Sequence, residues 1–164
     1  MRHKVFVSYY HHDDQEYANL LRNAYGDDDV FIDRSLEQAY EGMSNDEMMN
    51  AIRTEHLKDS TVTIVLIGTN TYKRKWVDWE IYASLRPYGD RTRNGLLGIY
   101  IDEGAIVPRR LLQNINSGYA TTMNWRKIIC EPALLERKID EAYENRVYAS
   151  LVRNEAERMK RNLS

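Results

Sequence analysis

The chain has one cysteine, Cys130, in 164 residues. An internal disulfide is therefore excluded, and no CxxC or Cys/His spacing suggests zinc. That usage fits a reducing compartment, and the cytoplasm is the expected location. Long apolar runs are also missing. The longest, Val62–Ile67, is far too short to cross a bilayer, and Met1-Arg2-His3-Lys4 leads directly into a strand, so neither a signal peptide nor a membrane anchor is expected. Charge of one sign is not in surplus either. A formal net charge of -2 and the absence of a long basic stripe leave bulk attraction to nucleic acid unsupported. The expected partner is a small molecule or a protein, with no nucleic acid and no membrane.

What is present is an ordinary globular composition, 43% hydrophobic and 29% charged, with enough apolar area to offset the entropy of ordering. The length suits one domain over residues 1–164, with residues 131–164 as a C-terminal helical extension.

Residues 4–9 (KVFVSY) read as a buried first strand, and His11 to Asp14 as a polar break after it. Apolar residues at Tyr17, Leu20, Leu21 and Ala24 give helical spacing over residues 15–25, and Gly26 with the following aspartates ends it. Val30-Phe31-Ile32 makes a short second strand. After a polar loop, Ser44 with Glu47 resembles a capping box and opens a helix over residues 45–57. Residues 61–67 (TVTIVLI) are apolar on both faces, as a central parallel strand requires. A helix over residues 76–85 and a strand over residues 95–101 (GLLGIYI) complete a βαβαβαβ order. Residues 102–117 read as irregular, a fifth strand falls within residues 119–123, and the chain from Glu131 onward is expected to be helical.

Alternation of this kind implies an α/β fold, an open parallel sheet flanked by helices, with ligands beyond the carboxyl ends of the strands. That rule selects residues 9–14, 33–42 and 68–76 and the loop after Ile101.

Within TNTYKRKWVDWEIYASL, residues 69–85, Trp76 and Glu80 are four apart and share a helical face. An aromatic plate beside a carboxylate suits a flat cationic ring on a sugar: the indole stacks, and the carboxylate holds ribose hydroxyls or opposes an oxocarbenium-like charge. Spacing alone fits better the commoner arrangement of a core tryptophan and a surface glutamate paired to Lys73 or Arg74. Ser8, Tyr9 and Tyr10 end the first strand, with His11 and His12 beyond, placed either to contact phosphate or ribose or simply to cap the strand. Asp33 and Arg34 open the loop after the second strand. Arg34 has two open readings, a pyrophosphate contact and a loop salt bridge with Asp33 or Glu37. Lys73, Arg74 and Lys75 either steer a dinucleotide or form a solvated loop tip. His11, His12, Asp13 and Asp14 adjoin in one loop without a distant ligand set, so no metal is expected.

The segments KVFVSYYHHDDQEYANLL, VFIDRS and DSTVTIVLIGTNTYKRKWVDWEIYASL resemble the TIR-like family of bacterial Thoeris antiphage defence systems, over roughly residues 4–101. The resemblance implies a flavodoxin-like fold and a Trp-x-x-x-Glu arrangement matched by Trp76 and Glu80, with Glu80 as the catalytic residue. It further implies cleavage of the nicotinamide–ribose bond of NAD, which is a substrate here and not a cofactor. The product would be a cyclic ADP-ribose isomer that reaches a separate effector protein after infection. Ser8, Tyr9, Tyr10, His11, Asp33, Arg34 and Trp76 are the candidate substrate-binding residues, and a homo-oligomer is a further expectation.

Two other classes compete. A non-catalytic TIR assembly or binding module uses the same fold through its surface loops. A phosphoacceptor domain needs an aspartate at the end of the third strand, where Ile67-Gly68-Thr69-Asn70 offers none. A P-loop and a GxSxG nucleophile elbow are both absent.

Overall fold

In the computed structural model, which describes residues 3–26, 31–32 and 42–164, every residue of the strand Val62–Ile67 is buried. This strand, β3, is the middle of a five-stranded sheet of order β2-β1-β3-β4-β5. The others are β1 (Val5–Ser8), β2 (Phe31–Ile32), β4 (Gly95–Tyr100) and β5 (Thr121–Asn124). All neighbouring pairs are parallel, with Val5 opposite both Phe31 and Val62, Val62 opposite Gly95, and Leu97 opposite Thr121. The order with β1 and β3 at the centre is that of flavodoxin-like folds.

The two-residue period of a strand sorts the core into two layers. Val5, Val7, Ile64, Leu66, Leu97 and Ile99 face one side and pack against Ala18 and Leu21 of α1 (His11–Tyr25) and Leu135 and Ile139 of α6 (Pro132–Glu144). Phe6 faces the other side, with Met48 of α2 (Asn45–Ala51) and Trp79 of α3 (Lys75–Ser84). Val65, Ile67 and Leu96 also face that side, against Val77 and Ile81 of α3 and Leu111 of α4 (Arg109–Asn116). α5 (Arg126–Cys130) lies between β5 and α6 in the chain.

Several boundaries differ from the sequence reading. α1 begins at His11, so His11 to Asp14 are its first turn and not a loop; Asp13 and Asp14 there suit the positive end of the helix dipole. The helix opened by Ser44, whose hydroxyl accepts from the Glu47 amide at 3.2 Å, passes at Ile52 into a wider π turn through Leu57. α4 lies inside the stretch expected to be irregular. Its buried positions include Arg110 and Asn114 as well as Leu111, so polar residues conceal its inner face. Helix in the last part of the chain ends at Glu144, followed by short 3₁₀ turns at Asn145–Val147 and Ala149–Leu151. Residues 152–164 form neither helix nor strand. No helix among the described residues is long and apolar enough to cross a membrane.

Candidate active site

α3 carries Glu80, and a chain of small polar groups seats this helix on the sheet. Thr63 lies on the α3 side of β3, its hydroxyl 2.7 Å from that of Ser84; Ser84 in turn donates to the backbone oxygen of Glu80 at 2.7 Å. Asn94 closes the set by donating to Thr63 at 3.1 Å and to Ser60 at 3.0 Å. Every member is buried, so its hydrogen bonds must be made within the protein. The network fixes where α3 sits relative to β3.

Ser8, last residue of β1, has the same parity as Phe6 and therefore faces α3. Its hydroxyl donates to Oε1 of Glu80 at 2.6 Å. Glu80 is only 3% exposed and Ser8 only 1%. Burying a carboxyl group is costly without such partners, and a 2.6 Å separation makes this a short hydrogen bond. The pair lies at the carboxyl end of β1, the edge where parallel sheets bind ligands.

The other expected site residues divide around this pair. Tyr9 is buried with its hydroxyl bonded to Gln15 at 3.0 Å, and its ring lies 4.1 Å from that of His11, whose Nδ1 also contacts Gln15 at 3.1 Å. Tyr10 precedes α1; the Arg74 guanidinium stands 4.3 Å from its ring centroid and the His12 ring stacks at 5.7 Å. The loop after β1 and the loop after β3 thus meet through Tyr10 and Arg74. Asn70 strengthens that junction by donating to Asp13 at 2.9 Å; this bond, with a further one from His12, holds the Asp13 carboxyl below the usual range. Lys73 and Lys75 diverge from Arg74: Lys73 lies near the Tyr72 ring, and Lys75 over the rings of Trp76 and Trp79 at 4.7 and 5.3 Å. Trp76 is half-buried, edge-on to Trp79 at 6.1 Å and packed against the Phe6 cluster. Asp33 and Arg34 lie outside the described residues.

Asp78 was missed by the sequence reading, and Asp14 was weighed there only as part of a metal loop. Asp78 pairs with Arg110 at 3.0 Å, both side chains buried, and ties α3 to α4. One turn of helix among tryptophans carries no signal that its aspartate is a buried ion. Asp14 is 5% exposed and presses on Gly68, where a Cβ would collide with its carboxylate. Burial, and then the nearby Asp13 charge, push its carboxyl up to about 6, against a smaller opposing effect of the Thr71 hydroxyl. Among the described residues no group of three or more His, Cys, Asp or Glu side chains is placed to hold a metal.

Among curated proteins none matches the chain. Residues 6–105, from β1 through β4 and including Ser8, Trp76 and Glu80, match the family described as the Thoeris protein ThsB, TIR-like domain. With its parallel sheet, its helices on both faces and most of its length inside that match, the chain belongs to the ThsB TIR-like family and is an antiphage defence protein of the TIR type.

Proposed function

We propose that this protein cleaves the nicotinamide–ribose bond of NAD after infection and converts the remainder into a cyclic ADP-ribose isomer that activates a separate effector protein. The observation that carries this reading is the buried Glu80 carboxylate, held by the Ser8 hydroxyl at the carboxyl edge of β1.

In the reaction, the bond from C1′ of the ribose to the nicotinamide nitrogen breaks and its electron pair goes to the ring nitrogen, so nicotinamide leaves neutral. Positive charge develops on C1′ and the ribose ring oxygen. A fixed carboxylate in a water-poor site opposes that charge far more effectively than one in water. Glu80 supplies it or holds the ribose hydroxyls, and Ser8 fixes its orientation. A hydroxyl of the same ADP-ribose then attacks C1′ and loses its proton, closing the ring; attack by water gives linear ADP-ribose. Tyr10 provides aromatic surface beside the cleft, and Arg74, stacked on Tyr10, is a cation that suits a pyrophosphate.

A second reading, a non-catalytic assembly module, draws on the packing of Trp76 against Trp79 and the Phe6 cluster, which is what a purely structural role gives. Exposed Ile129 and Val147, each 77% accessible, offer it contact surface, which would also serve a homo-oligomer. The two readings separate when purified protein and its Glu80→Gln variant are incubated with NAD and extract of phage-infected cells, with nucleotides followed by mass spectrometry. Glu80-dependent loss of NAD with a new ADP-ribose product supports the enzyme; unchanged NAD supports the module.

A further inference from the structure

Residues 152–164 have no regular structure of their own, yet they follow one course across the protein. Arg153 exchanges two hydrogen bonds with the buried Asn114 of α4, at 2.9 and 2.8 Å. Asn154 accepts from Arg110 at 3.1 Å and donates to the Tyr82 backbone at 3.3 Å. The Met159 amide donates to Asp78 at 2.8 Å, and its carbonyl accepts from the Trp79 indole at 2.8 Å. The Arg158 guanidinium lies over the rings of Trp79 and Tyr82 at 4.6 and 4.9 Å. Asn162 then accepts from the Lys75 amide at 2.9 Å, and the Leu163 amide donates to the Lys73 carbonyl at 2.9 Å. As the segment advances, its partners run back from Tyr82 to Lys73. It is a strap laid antiparallel on the outer face of α3.

The two ends of the strap are held differently. Its first part is tied to Asn114, Arg110 and Asp78, all buried, where water cannot replace a lost partner. Its last part, residues 160–164, is exposed: the Asn162–Lys75 bond faces solvent and Leu163 is 52% accessible, so apolar burial secures it only in part. Exposed hydrogen bonds exchange readily with water and local opening there costs little.

That weak end lines a cavity beside the junction of the loops after β1 and β3. Leu163 and Ser164 line a cavity of about 300 Å³ together with Tyr10, Asn70, Lys73 and Arg74, the residues that join the loops after β1 and β3. The same tip supplies the side-chain cap that Arg74, at the start of α3, does not.

The geometry points to residues 160–164 being a displaceable gate: beyond the anchor at Met159, this segment narrows the cavity it lines with Tyr10, Lys73 and Arg74 and moves aside to admit a ligand. As a device regulating access to Glu80 it rests on the proposed NAD reading, although the gating motion itself is measurable without nucleotide.

The test places a reporter thiol in the mouth by Asn70→Cys and measures its alkylation by iodoacetamide, with the exposed natural Cys130 as internal control. Asn162→Ala combined with Leu163→Pro removes both ties of the tip; Asn162→Ala alone serves if proline disturbs folding. Labelling at position 70 should rise by about threefold or more, because the rate follows the open population, while Cys130 keeps its rate. An unchanged rate at position 70, or an equal rise at Cys130, overturns the gate. NAD loss in the same strap variants without the reporter is followed separately: faster labelling with no NAD consumption in infected extract leaves the gate standing and removes the enzyme reading.

Discussion

The Ser8 hydroxyl donates a 2.6 Å hydrogen bond to the Glu80 carboxylate, joining residues 72 apart in the chain at the end of β1. Neither residue is informative alone, since a serine ending a strand and a glutamate in a helix are commonplace. Together, buried and in contact at the ligand edge of a parallel sheet, they form the centre of the candidate site.

Ser8→Ala removes the hydroxyl and leaves the Glu80 oxygen with one partner fewer in a buried place. A loss of about 1–3 kcal/mol in stability is expected, read as a lower midpoint in urea. Glu80→Gln retains an acceptor for Ser8 and should cost less stability, yet abolish infection-dependent NAD cleavage, with a fall on the order of 100-fold or more. Equal NAD loss by the Gln variant would contradict the catalytic assignment.

The Asp78–Arg110 pair should behave as a buried ion pair does when one partner is lost. Arg110→Met strands the Asp78 charge and is expected to cost about 3–5 kcal/mol. Asp78→Leu with Arg110→Met should recover a substantial part of that loss. A single variant with an unchanged melting temperature would show that the pair is not sealed from water.

Asp14 predicts a pH dependence with a definite sign. Its carboxyl is raised to about 6 in the fold from an ordinary 3.8, so the fold prefers the protonated form. The resulting stability is full below about 3.8 and disappears as pH rises through about 6, an effect on the order of 2–3 kcal/mol at 1.36 kcal/mol per unit. Asp14→Asn should flatten the stability profile between these values and raise the melting temperature at pH 8. A parallel profile in both proteins would assign the dependence elsewhere.

Gly95 starts β4 where α6 passes closest: a Cβ there would run into the backbone carbonyl of Ala142. Since backbone and not a flexible side chain is in the way, Gly95→Ala must push α6 from the sheet. An overpacking cost of about 1–3 kcal/mol follows, to be read by chemical denaturation. Gly118→Ala, where no neighbour crowds the Cβ but φ is +88°, separates backbone strain from overpacking at a second site.

The strands and most helices were legible because their residues carry period and propensity. The run VTIVLI is apolar and buried on both faces, as a strand with helices packed on either side of the sheet requires, so β3 followed from its composition, and its length and apolarity pointed to the middle of the sheet, where it lies. Helix α3 followed from apolar spacing, and Trp76 with Glu80 from their separation on it. α4 did not, since its inner face is made partly of Arg110 and Asn114, which satisfy themselves through Asp78 and Arg153 from distant parts of the chain. The end of helix at Glu144 was hidden for the converse reason: the charged composition beyond it suits helix, but residues 152–164 find their partners on α3.

By itself, then, the sequence determined the alternation of strands and helices, the central strand, the helix bearing Glu80 and the family resemblance, because these depend on local pattern and short-range spacing. Only the tertiary structure decided that Ser8 reaches Glu80, that Asp14 is pressed against Gly68 and that residues 152–164 lie along α3. Those relations are hydrogen bonds and contacts between residues far apart in the chain, set by how the sheet twists and its layers pack, and no local pattern encodes them.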